Sequence, residues 1–123
     1  RARSAPLMEE KMNTIQNVLQ EHKGKRVWFY LPKEETRIRF QEDLIEMKAR
    51  WKDGQPVNTD HNISDLMAVH EDGEVGFISS LCWKMSFMDK YKDEIIHIDF
   101  EKCEKEEKDY MMDRPQITYV CFE

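Results

Sequence analysis

Three histidines and a cysteine, His61, His70, His97 and Cys82, are the residues whose type best suits them to hold a metal ion. None stands in a C-x-x-C, H-E-x-x-H or comparable local spacing, the patterns that make a metal site specific. Asp60, His61 and Asp65 fit a ligand cluster and fit an ordinary polar loop equally well, so no metal is expected. Nucleophilic catalysis would need an activated Cys or Ser with a base in reach. Cys82 follows Ser79 and Ser80 and precedes Trp83, a setting in which a thiol usually serves as a small buried hydrophobe. His97 and Asp99 lie two apart on one face of a strand and can form an acid–base pair, although such pairs also stand idle on wet strand faces. Gly24, Gly54, Gly73 and Gly76 are dispersed, so no phosphate-cradling loop exists. No catalytic residue and no cofactor is assigned.

Binding chemistry is better represented. Lys23, Lys25 and Arg26 form a basic cluster, and Arg37, Arg39, Lys48, Arg50 and Lys52 lie on or just after a predicted helix. With Trp28 and Tyr30 close by, these residues would suit a stacking surface for nucleic acid. Intervening glutamates dilute the patch, and the net charge of −6 opposes affinity for phosphates. A protein partner is the stronger expectation. Eight Met with three Trp, four Tyr and six Phe exceed what a core of this size needs, and these side chains are enriched where surfaces adapt to partners. The candidate interface residues are Ile38, Ile45 and Ala49 on one face of the second helix, and Leu81, Met85 and Met88 further on.

A chain of 123 residues is one domain with a sizeable core. Charged residues make up 36% and hydrophobic ones 40%, and no window approaches the roughly 18 apolar residues of a membrane span. No signal peptide is visible. Residues 1–6, RARSAP, read as a tag-like or trimmed leader outside the fold, leaving 7–123 as a single domain. Cys82, Cys103 and Cys121 are odd in number and far apart, which points to reduced thiols in a cytoplasmic protein.

The elements that must position these residues follow from periodicity. Met8, Met12, Ile15 and Leu19 repeat at helical spacing, with Pro6 suited to the first turn and Gly24 to the C-terminal cap. Val27 to Leu31 is an apolar, aromatic run stopped by Pro32, a strand covered on both faces. The second helix follows Pro32. At about 100° per residue, Phe40, Leu44, Met47 and Trp51 fall in one narrow arc facing the core. Glu35–Arg39 and Glu46–Arg50 are spaced as helical ion pairs, and Asp53-Gly54 ends the element.

Residues 55–64 are loop by composition and the expected mobile surface segment. The runs 66–70 and 74–78 flank Asp72-Gly73 and predict a hairpin. Residues 79–91 read as a short helix or loop. From Ile95 to Phe100 the chain alternates, with Ile96, Ile98 and Phe100 inward and a wet face at His97 and Asp99. Residues 101–109 read as a charged helix or loop with i, i+4 pairs at Glu101–Lys105 and Glu104–Lys108. A last strand is predicted over 116–122. The class is α+β in two layers, about five mostly antiparallel strands with two main helices on one face.

Phe40, Leu44, Trp51 and Gly54, followed by Ile95, Ile96 and Phe100, resemble a helix–turn and strand pattern of small α/β proteins of phages and mobile elements. The resemblance covers about a third of the chain and supplies no catalytic residues. That pattern has a glycine three residues before the tryptophan; Lys48 stands there in this chain, so the helix is expected to run longer. The resemblance implies a mobile-element accessory protein. The expected function is therefore non-catalytic binding to a protein, modulating or inhibiting a host factor, with a homo-oligomer also compatible. The alternatives are a small regulatory nucleic-acid-binding protein, and a hydrolase or nucleotide-binding protein using His97, Asp99 or Cys82.

Overall fold

The strand over Arg26–Tyr30 (β1) sits between two partners and sends its side chains alternately to two covered faces. A computed structural model describes residues 12–60, 62–88, 91 and 94–112. In chain order these form α1 (Thr14–Glu21), β1, α2 (Glu34–Glu46), β2 (Arg50–Trp51), β3 (Leu66–Val69), β4 (Glu74–Phe77), α3 (Ser80–Met85), β5 (Ile95–Asp99) and α4 (Phe100–Glu104). The strands make one sheet in the order β2-β4-β3-β1-β5. The α+β class holds, with α1 and α2 together on one face. Within the sheet, β1–β3 and β3–β4 are antiparallel while β1–β5 and β2–β4 are parallel, so it is mixed.

Alternation along β1 explains both layers. Val27 and Phe29 enter the larger core with Ile15, Val18 and Leu19 of α1 and Phe40 and Leu44 of α2. Phe29, Phe40 and Phe100 meet at ring-centroid distances of 5.0 to 5.8 Å, tilted or edge-on as aromatic quadrupoles prefer. Trp28 and Tyr30 point the other way, into a smaller cluster with Leu66, Trp83 and Met112. A two-layer fold would leave that face to water. Here α3 covers it, and this is why His97, expected on a wet face, is buried.

The first predicted helix reaches into residues 1–11, which lie outside the described residues, as do the leader and Met8. Within them, α1 begins at the Asn13 cap, whose side chain accepts the Gln16 N–H at 2.9 Å while Gln16 returns the bond. The same Asn13 amide donates to the Asp43 carbonyl and to Glu46, each at 3.0 Å, locking α1 against α2. Its C-terminal cap is His22 rather than Gly24. Gly24 instead makes the left-handed turn into β1, where its N–H donates to the Glu71 carboxylate.

Helix α2 stops earlier than its apolar arc suggests. Lys48 adopts φ 61°, its N–H bonds the Ile45 carbonyl at 3.0 Å, and the Ala49 N–H bonds the Leu44 carbonyl at 2.9 Å. That pair of bonds is the Schellman termination. It carries lysine at the left-handed position, where a side chain crowds the following carbonyl and glycine does not. Trp51 therefore belongs to β2, not to the helix, and stacks on Phe77 at 5.2 Å. Ala49 is 1% exposed, which removes it from the interface candidates; Ile38 and Ile45 remain exposed. Arg50 is past the helix end, so no Glu46–Arg50 helical pair forms, and Arg39 turns from Glu35 to Glu104 at 2.9 Å. Of the charged-segment pairs, Glu101–Lys105 forms at 3.2 Å.

The hairpin β3–β4 forms as predicted, around Gly73 at φ 90°. Of the predicted loop 55–64, the described residues include a bridge from Pro56 to Arg50, and Val57 and Ile63 are buried in the core. The predicted strand over 116–122 lies outside the described residues; the fifth strand within them is β2. Lys48→Gly should raise the unfolding free energy by about 0.5–1 kcal/mol in urea titration, and Lys48→Val should lower it. A loss of stability in Lys48→Gly would refute the strain.

Candidate functional site

Six residues make a helix too short to persist alone, so α3 must be held by what lies beneath it. Ser79 caps it, its hydroxyl accepting the Cys82 N–H at 3.1 Å. Trp83 is the inward residue. It packs on Trp28, Tyr30, Phe87 and His97 at centroid distances of 4.9 to 6.4 Å. Just past the helix, Ser86 donates its hydroxyl proton to the Trp83 carbonyl at 2.6 Å and meets His97 Nε2 at 2.6 Å.

The roles in this knot follow from proton count. A serine hydroxyl has one proton. With that proton on the Trp83 carbonyl, Oγ accepts from His97 Nε2–H, and the imidazole is the donor. Such a serine is not being deprotonated by its histidine, the reverse of what an activated nucleophile requires. Burial also pushes the His97 imidazole down to about 4, so it is neutral at physiological pH. Phe87 stacks over it at 3.8 Å. The pair fastens α3 to β5.

The other chemical candidates are dispersed or occupied. Asp99 does not join His97; its carboxylate caps α4 by accepting the Lys102 N–H at 3.3 Å. Cys82 is exposed on α3, and burial with the nearby Glu21 and Glu104 pushes the Cys103 thiol up to about 11. His61 lies outside the described residues. Among those described, no three His, Cys, Asp or Glu side chains converge on a metal position. Also among them, no helix is long and apolar enough to cross a membrane.

The basic residues do not form one patch. Lys23, Lys25 and Arg26 lie at the start of β1, whereas Arg37 donates to the Leu31 carbonyl at its far end at 2.8 Å. Five residues of strand separate these ends by about 16 Å. Arg39 is bound by the Glu104 carboxylate.

What remains is apolar and outward. Leu81, Met85 and Met88 are 61%, 46% and 51% exposed, and they follow one another at spacings of four and three. Beside them is a groove of about 220 Å³ lined by Arg26, Trp28, Cys82, Met85, Ser86, Tyr91 and Ile95. Ile38 and Ile45 project on the opposite side of the sheet, where Ile38 borders a depression with Glu34, Arg37, Gln41, Thr59 and Asn62. The α3 row is therefore the apolar one. Sequence reasoning missed Ser86, which sits in no motif; its position three after Trp83 was the available signal. No protein-family model, curated protein or solved structure matches this chain.

The knot has a pH signature. The ordinary His97 value of 6.5 falls to about 4 in the fold, so its contribution is complete above pH 6.5. As pH falls from 6.5 through 4, the unfolded chain takes the proton first, and about 2 kcal/mol is lost. Asp43 runs oppositely, because burial and Glu46 raise it from 3.8 to about 6. Its stabilisation is present below pH 3.8 and disappears as pH rises through 6. In urea titrations the stability advantage of wild type over His97→Gln should shrink by about 2 kcal/mol between pH 7 and pH 4.5. An advantage independent of pH would show that His97 is not held neutral. Asp43→Asn should gain about 1 kcal/mol at pH 7, after allowance for solvent screening of a half-exposed carboxylate.

Proposed function

We propose that this protein is a non-catalytic accessory factor that acts by binding another protein through the α3 face. The observation that carries the reading is the exposed row Leu81, Met85 and Met88 beside the Trp28–Ile95 groove. Exposed methionine and leucine on a firmly anchored helix supply adaptable apolar contact with little loss of backbone entropy on binding. The resemblance to phage and mobile-element proteins suggests the setting, a cytoplasmic factor that modulates or inhibits a host protein. Nucleic-acid binding is the weaker reading, since the basic residues divide between the two ends of β1. A hydrolase using His97, Asp99 or Cys82 is weaker still, because His97 donates to Ser86 and Asp99 caps α4.

The reading is tested by placing a photocrosslinking amino acid at Leu81, Met88 or the exposed Lys108 in cells that make the protein. The first two positions should yield one discrete protein adduct and Lys108 none. Met85→Asp should abolish the adduct while changing stability by no more than about 0.5 kcal/mol. Equal adducts from all three positions, or none from Leu81 and Met88, would end the proposal.

A further inference from the structure

We draw no further inference here: the strongest candidate, the apolar groove beside α3 lined by Trp28, Met85 and Ile95, belongs to the face already described, and nothing in the structure shows what covers it.

Discussion

The contact between Trp83 and the face of the sheet formed by Trp28, Tyr30 and His97 is what gives α3 a place at all. A six-residue helix gains too few internal hydrogen bonds to offset the cost of nucleation. Its persistence comes from burying one indole completely and from the Ser86 hydroxyl, which joins the end of the helix to β5 through His97. Losing an indole from such a site typically costs about 3–5 kcal/mol, a large part of the stability of a domain this size. Because Trp83 turns inward, Leu81 and Met85 must turn outward. The exposed apolar row is the geometric counterpart of the buried anchor.

The same strand serves both layers. Phe29 organises the larger core with Phe40 and Phe100, while its neighbour Trp28 floors the groove under α3. Period-two alternation lets five residues of β1 carry both jobs, with no side chain in common. Parallel pairing to β5 then brings Ile95 beside Arg26 and His97 beside Trp28. The candidate site is in this sense a product of register. A one-residue slip between β1 and β5 would exchange the faces of β5 and send Ile96 and Ile98 to the groove side.

Much of this was legible from residue pattern. The apolar run at Val27–Leu31 and the Asp72-Gly73 hairpin could both be read, because each depends on local alternation or turn chemistry. The failures have physical reasons. Periodicity extends the helix through Ala49 to Trp51 because it does not register a left-handed residue, and lysine at position 48 hides the turn that glycine would announce. Alternation puts His97 on a wet face because it distinguishes the two sides of a strand but not what covers them. That cover is α3, which reaches His97 through Ser86, 11 residues away in sequence, only because the sheet places β5 beneath it. Ser86 was invisible for the same reason. Charge alone puts Arg26 with Arg37, from which β1 separates it.

The central claim is that α3 is a rigid platform, its outer apolar row held in place by the buried knot beneath. Native-state hydrogen exchange of its amides tests this most directly. The Trp83 and Ser86 N–H groups, which donate to the Ser79 and Cys82 carbonyls, should exchange only with global unfolding, at the same free energy as the Phe29 amide in β1. Exchange at Trp83 and Ser86 through local fraying, orders of magnitude faster than at Phe29, would show that the helix is not anchored and contradict the account.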